Sequence, residues 1–402
     1  MTGLAPGTQP PPATSQRILA LDIFRGMTIA FMIIVNTAGN ESVAWSPLRH
    51  ARWHGFTPTD LVFPSFLFAI GTSAFFSLKK FDHRPTGTAL GKIWWRTAIL
   101  FAIGVVMWYV PGFVASLFRL APGAYLADLA GRIRIMGVLQ RLALCYGIGA
   151  TLALFVSRRT LVGVGTVLLF AYWWLMWSFG QGADPYSLQT NAALRLDTWL
   201  LGPDHLYHGE RVDGARFAFD PEGVLSTVPA IVTFIIGYLT GRFLDRTPDR
   251  RRALSELLPA ACLLIAAGFM WDYWFGFPIN KKIWTSSYTL YAGGWSLLIL
   301  GLVLWAVDVH GRNGVLSFFN VFGRNPLLAY ITSEVGAVTL STIRLTGPDG
   351  NPQSAYAWLY QHTAMPVAGD NAAGSFLFAA GYTLVIWLFA WACHKRGIII
   401  KV

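Results

Sequence analysis

Ten apolar runs, each about the length of a bilayer crossing, leave this chain few ways to fold. They lie near residues 18–38, 59–79, 91–111, 132–156, 160–180, 222–243, 254–275, 285–308, 318–341 and 375–394. About 20 apolar residues in helical form cover the hydrocarbon thickness, and a helix satisfies its backbone donors and acceptors within one segment. The expected fold is therefore all-α: a polytopic membrane protein with a single bundle of about 10–11 transmembrane helices. Composition agrees, since 54% of the 402 residues are hydrophobic and 13% charged, with a mean hydropathy of +0.48.

The net charge of +11 raises nucleic acid as a partner, but the basic residues sit in short blocks between apolar runs. That pattern belongs to orientation in a membrane, and the partner it implies is the lipid bilayer. The blocks follow the second, fourth, sixth and eighth helices: Lys79, Lys80, Arg84 and Lys92; Arg158 and Arg159; Arg246 and Arg250 to Arg252; Arg312. Both termini are then cytoplasmic. Residues 1–16, rich in Pro, Gly and Thr, read as a flexible cytoplasmic leader, and residues 17–402 as one membrane domain. The first apolar run is too long, and too interrupted by Asp22 and Arg25, for a cleaved signal peptide. Connections 181–221 and 342–373 are longer and less basic, as outer loops that bind polar ligands are. Residues 112–131 leave room for a re-entrant piece, and 354–366 for a short surface helix. No internal repeat is evident.

Several polar residues stand out against this background. At about 100° and 1.5 Å per residue, Asp22, Arg25 and Asn36 share one face of the first helix, over roughly 21 Å. They read either as a functional stripe or, for Asp22 and Arg25, as an ion pair needed for folding alone. His50 lies in the loop that follows. An unperturbed imidazole, with a pKa of about 6.5, can take and return a proton near neutral pH, so His50 is a candidate general base, the plainer alternative being an interfacial histidine bound to a backbone carbonyl. Thr57-Pro58-Thr59-Asp60 reads as a helix start; Asp60 either caps it or orients His50 across ten residues of loop. His54 invites a metal reading, but Gly55 breaks the helix and no glutamate follows His50, so no metal site is expected.

Arg96, Arg132, Arg134, Gln140 and Arg141 suit phosphate recognition or pairing with Asp22, Asp128 or Asp272. Glu222 follows Asp220-Pro221 at a helix start, and Lys281 and Trp284 lie beside Asn280 in an outer connection. An aromatic among polar groups suits a sugar face or a membrane-interface belt. Cys145, Cys262 and Cys393 lie singly in apolar runs and read as packing residues.

Leu21-Asp22-Ile23-Phe24-Arg25-Gly26, Val35-Asn36, His50-Ala51, Trp53, Gly55 and Asp60-Leu61-Val62-Phe63-Pro64 follow one another in an order that resembles the heparan-α-glucosaminide N-acetyltransferase family and its bacterial, NagX-like relatives. Gly137 to Arg141, Asp220 to Gly223, Asn280-Lys281, Trp284-Thr285 and Asn325-Pro326 extend the resemblance. It implies an acetyl-CoA-dependent acyltransferase of the bacterial inner membrane, acetylating an amino sugar on the periplasmic side, with a homodimer as the assembly. It also implies His50 as the catalytic histidine, as general base or acetyl carrier, and Asn36 at the acetyl site. With Asp60, these form the expected catalytic set. Acetyl-CoA is expected at Asp22, Arg25, Arg134, Gln140, Arg141 and Asn325, and the acceptor at Trp53, Glu222, Asn280, Lys281 and Trp284. An amino-sugar permease without chemistry and a glycan or lipid O-acyltransferase remain as alternative functions.

Overall fold

The computed structural model describes residues 18–119, 123, 131–312, 314–347 and 350–400. The expected leader lies outside the described residues, as does most of 120–130, where a re-entrant piece had room.

In chain order the helices are α1 (Leu19–Asn36), α2 (Val62–Leu78), α3 (Gly87–Arg119), α4 (Val138–Phe155), α5 (Arg158–Phe179), α6 (Ala192–Leu201), α7 (Val224–Arg246), α8 (Arg250–Phe275), α9 (Ser286–Leu304), α10 (Ser317–Arg324), α11 (Pro326–Thr342), α12 (Ala355–Thr363), α13 (Met365–Ala368) and α14 (Ala372–Lys395). Two small hairpins, β1 (Glu210–Val212) with β2 (Ala215–Phe217) and β3 (Arg344–Thr346) with β4 (Pro352–Ser354), are antiparallel. Among the described residues nine helices are long and apolar enough to cross a membrane. The protein is an all-α, multi-pass membrane protein.

Two expected spans differ from the structure. The run near 318–341 is broken between α10 and α11. Asn325 leaves the helical region at φ −138°, ψ 54°, and Pro326, with no N–H to give, opens α11 at its first position. The run near 132–156 begins as a helix only at Val138, because Gly137 is extended at φ 177°. The possible surface helix at 354–366 is present as α12.

Small residues let the helices meet backbone to backbone. A Cβ on Gly71 would stand 2.1 Å from Phe234 O and one on Gly237 2.0 Å from Phe68 O, so α2 and α7 pack with no room for a side chain at either glycine. Gly26 and Gly323 join α1 to α10 in the same way, with Cβ positions 1.7 Å from Phe319 O and 1.8 Å from Asp22 O. Around these seams, Phe63, Leu67, Phe234, Trp284 and Tyr288 belong to one core cluster, and Phe24, Phe68 and Leu300 to another.

The bundle has two chemically distinct ends. At one, Lys79 pairs with Asp245 at 2.7 Å, Arg250 with Asp308 at 3.4 Å, and Arg324 Nη1 lies 3.0 Å from His394 Nε2. The connections carrying His50, Arg134, Asp220 and Lys281 gather at the other.

Candidate active site

The loop after α1 is held in place mostly by Asp60. The Asp60 side chain is 1% exposed, and its Oδ2 accepts from Ala51 N at 3.1 Å and Thr57 N at 3.0 Å. Oδ1 is left for His50 Nδ1 at 2.7 Å. One carboxylate thus caps the 3₁₀ turn Pro58–Leu61 ahead of α2 and fixes the imidazole ring. The cap reading and the orientation reading of Asp60 describe two oxygens of the same group. Tyr288 OH donates to the Asp60 carbonyl at 2.6 Å, anchoring the turn to α9.

Lys281 reaches this pair from the connection between α8 and α9. Its Nζ lies 3.1 Å from His50 Nδ1, 3.3 Å from Nε2 and 4.0 Å from Asp60 Oδ1. A polar turn sets this placement. Asn280 Oδ1 accepts from Ile283 N at 3.1 Å, and Thr285 Oγ1 accepts from Asn280 N at 3.1 Å while donating to Pro278 O at 2.7 Å. Trp284 takes the left-handed conformation at φ 46°, unusual for a large residue, to close the turn. The two loops are also tied directly: Gly55 N donates to Ile279 O at 2.8 Å, and His54 Nδ1 lies 3.2 Å from Asn280 Nδ2. Burial pulls the Lys281 ammonium below its ordinary pKa, against the opposing pull of Asp60 and Glu222.

Beside this pair lies a second charged cluster. Arg134 donates from Nε and Nη2 to both oxygens of Asp220, at 3.0 and 2.8 Å, and from Nη2 to Glu222 at 2.6 Å. The guanidinium also stacks on Tyr207 and Trp108, 4.6 and 5.2 Å from their centroids. Burial drives the Asp220 carboxyl up despite Arg134, whereas for Glu222 the charges of Arg134, Arg141 and Lys281 outweigh burial and hold it down. Arg141, fully buried, donates to Gly223 O at 3.2 Å and to Ser226 Oγ, and lies 5.1 Å from the Trp284 ring.

Two of the cavities within the bundle are lined by residues expected at the donor. The larger, about 840 Å³, is at the Asp22 end; Asp22, Arg25, Ser77, Lys80, Lys92, Arg96, Arg324, Pro326 and Ile400 are among its lining residues. The smaller, about 230 Å³, is lined by Trp108, Arg134, Gln140, Tyr330 and Glu334 among others. Leu139 lines both.

These positions divide the residues expected at the donor. Asp22 and Arg25 form the ion pair expected from their spacing and line the larger cavity. Arg134 and Gln140 line the smaller one instead, Arg134 fully engaged by carboxylates at the His50 end. Arg141 and Asn325 line neither. Asn325, 1% exposed, bonds Ile398 O at 3.1 Å and Ile400 N at 3.2 Å, and so holds the C-terminal segment beside the larger cavity. The six therefore do not surround one space, because Arg134 and Arg141 answer to acids and a carbonyl of the connection that leads into α7.

The other residues fare differently. Asn36 is exposed and donates to Glu334 Oε1 at 3.0 Å. Glu222 and Lys281 belong to the charged clusters just described. Asn280 is fully buried in its turn, and Trp284, 1% exposed, packs on Phe63 and Tyr288 inside the core, so neither presents a face to solvent. Trp53 is half-buried, bonded to Tyr186 O at 3.0 Å and packed edge-on to Phe219. No group of three or more metal-binding side chains occurs among the described residues.

Two residues escaped the sequence reading. Glu334 carried a usable signal, a carboxylate inside an apolar run. Asp197 carried none, sitting in the connection between α5 and α7; it is buried and accepts from Val224 N at 2.9 Å and Leu225 N at 3.3 Å, capping α7 from α6.

No protein-family model matches the chain. It is 30% identical over 376 residues to the mouse (Mus musculus) heparan-alpha-glucosaminide N-acetyltransferase, an alignment covering 80% of this chain and 54% of the relative. To the human (Homo sapiens) heparan-alpha-glucosaminide N-acetyltransferase it is 29% identical over 376 residues, covering 80% and 53%. The chain spans about half the length of the curated relatives it matches. With the likeness running along four fifths of the chain, and the motif residues from Asp22 to Asp60 built into one loop and its flanking helices, the chain is similar to the heparan-alpha-glucosaminide N-acetyltransferases.

Proposed function

We propose that this protein moves an acetyl group from acetyl-CoA, entering at the Asp22 end from the cytoplasm, to an amino sugar at the His50 end, on the periplasmic side of the bacterial inner membrane. The observation that carries this reading is the His50–Asp60 pair, 2.7 Å apart, at the end of the bundle opposite a large cavity rimmed by Arg25, Lys80, Lys92, Arg96 and Arg324. Cations so placed suit the phosphates of coenzyme A. Leu327 lines the larger cavity and Tyr330, one turn further along α11, the smaller. The two spaces adjoin, and a thin acyl-pantetheine arm has a direction in which to extend. The family's homodimer is part of the same proposal.

The chemistry asked of His50 is ordinary. A protonated amine is no nucleophile, so the acceptor first gives its ammonium proton to water; as the neutral nitrogen bonds to the thioester carbonyl carbon, Nε2 of His50 takes a second proton from it, the C–S bond breaks, and the thiolate takes that proton back from His50. Asp60 holds the proton on Nδ1, so Nε2 is the accepting nitrogen, and Lys281 Nζ, 3.3 Å from it, must turn aside as the amine approaches. Asn36 is assigned to the oxyanion, through an amide that also bonds Glu334. The alternative, in which His50 is itself acetylated and passes the group on, uses the same geometry.

The test is purified protein with labelled acetyl-CoA and glucosamine. N-acetylglucosamine should form, and His50→Ala should lower turnover by about 10² to 10⁴ while acetyl-CoA still binds. A His50→Ala protein with near-normal turnover refutes the mechanism; absence of any labelled product favours the permease.

A further inference from the structure

Glu334 is a carboxylate in the middle of α11, a helix that is otherwise apolar or weakly polar, and it lines the smaller cavity together with Trp108 and Tyr330. One oxygen, Oε1, takes the Asn36 amide at 3.0 Å. Among the described residues it has no ion pair. The nearby cation, Arg134, is occupied by two carboxylates, Asp220 and Glu222, and makes no ion pair with Glu334. A carboxylate inside a membrane bundle is costly unless something positive meets it.

We infer that the smaller cavity is a binding subsite for the ammonium of the acceptor, with Glu334 as the group that pairs with it and thereby selects amino sugars over neutral ones. The site deepens the function proposed above and rests on it for the identity of the acceptor. Its walls fit that ligand: Trp108 and Tyr330 supply aromatic surface, which attracts both a cation and the apolar face of a sugar ring. The position fits as well. Through Asn36 the carboxylate is joined to the residue assigned to the acetyl group, so an amine held by Glu334 waits beside the carbon it must attack. Glu334 binds the acceptor as its ammonium; that proton is lost to water before attack, and the one released on attack leaves to His50.

The substitution that isolates the charge is Glu334→Gln, because a glutamine oxygen still accepts the Asn36 amide while the negative charge is gone. Calorimetric titration of purified protein with glucosamine and with glucose needs no turnover. Wild type should bind glucosamine roughly 10- to 100-fold more tightly than glucose, the range expected for a charged hydrogen bond, and Glu334→Gln should erase that preference. If wild type binds the two sugars equally, the inference fails without recourse to any variant; if Glu334→Gln keeps the preference, it fails equally. A protein that prefers glucosamine through Glu334 but transfers no acetyl group would sink the proposed function and leave this subsite standing, whereas unchanged acetyl transfer to glucosamine by Glu334→Gln would do the reverse.

Discussion

Replacing Asp60 by asparagine separates the two tasks that one carboxylate performs. Oδ2 accepts from two backbone amides, Ala51 and Thr57, and Oδ1 faces His50 Nδ1. An asparagine has one acceptor oxygen, so a choice is forced. If the amide oxygen faces His50, both backbone donors lose their acceptor, at about 1–3 kcal/mol each, or roughly 2–6 kcal/mol together. If it faces the backbone donors, the cap survives and the NH₂ group points at Nδ1, which must then accept. The second arrangement is the cheaper one. It moves the imidazole proton to Nε2, the nitrogen that has to take a proton from the amine, so the ring is folded in place but in the wrong tautomer. The expected result is a variant whose melting temperature changes little and whose kcat falls by about 10² to 10⁴. Because both substitutions act on one base, His50→Ala and Asp60→Asn together should be no slower than His50→Ala alone. The assay is labelled acetyl transfer to glucosamine alongside thermal unfolding in detergent. Wild-type turnover in Asp60→Asn refutes the tautomer argument, and an activity loss that merely tracks a collapse of the folded fraction refutes the claim that the cap survives.

Three further outcomes are expected. Asp22 is 4% and Arg25 22% exposed in their ion pair, so neutralising either alone should destabilise by up to about 3–5 kcal/mol, while neutralising both should recover much of that and still weaken acetyl-CoA binding; full acetyl-CoA affinity in the double variant, measured by titration, would remove the pair from the donor cavity's function. Burial lifts the Asp197 carboxyl to about 7, against the amides of Leu225 and Val224, whereas in the unfolded chain an aspartate titrates near 3.9. The folded state therefore holds that proton more tightly, and its contribution to stability declines as pH rises from about 4 through about 7. Asp197→Asn should flatten that decline in a pH series of thermal melts, and an unaltered slope would show that Asp197 is not its source. Finally, in a cysteine-free background in intact cells, a membrane-impermeant thiol reagent should label a cysteine at Arg52 and spare one at Arg251; the reverse pattern would invert the direction of transfer.

How much was legible beforehand depends on the range over which the physics acts. Spans, their approximate ends and the alternating basic connections are local in sequence: a helix in a bilayer must be apolar for about 20 residues, whatever it packs against. The Asp22–Arg25 pair is local as well, one helical turn apart, and so is the capped turn at Thr57-Pro58 that leads into α2, since capping involves only neighbours. Loop closure lies beyond that range. Whether Asp60 met His50 depended on how ten residues folded back, and that in turn on Gly55 N finding Ile279 O and Thr57 Oγ1 finding Arg49 O.

Identity of charge is readable in a sequence, but its partner is not. Arg134 and Arg141 looked equally fit for phosphate until the fold set Asp220, Glu222 and the Gly223 carbonyl against them, 82 to 88 residues away along the chain. Trp284 looked like a surface aromatic, and Asn280 like a ligand, because sequence does not reveal that a turn between α8 and α9 buries both and leaves only Lys281 to reach His50. Sequence alone determined a multi-pass helical bundle with a histidine loop at one end and an acid–base stripe on its first helix, because those follow from solvation and from the helical repeat. Only the tertiary structure decided which charges neutralise one another and which, like Glu334, are left facing a cavity, because Coulomb forces and hydrogen bonds act over a few ångströms of space and take no account of distance along the chain.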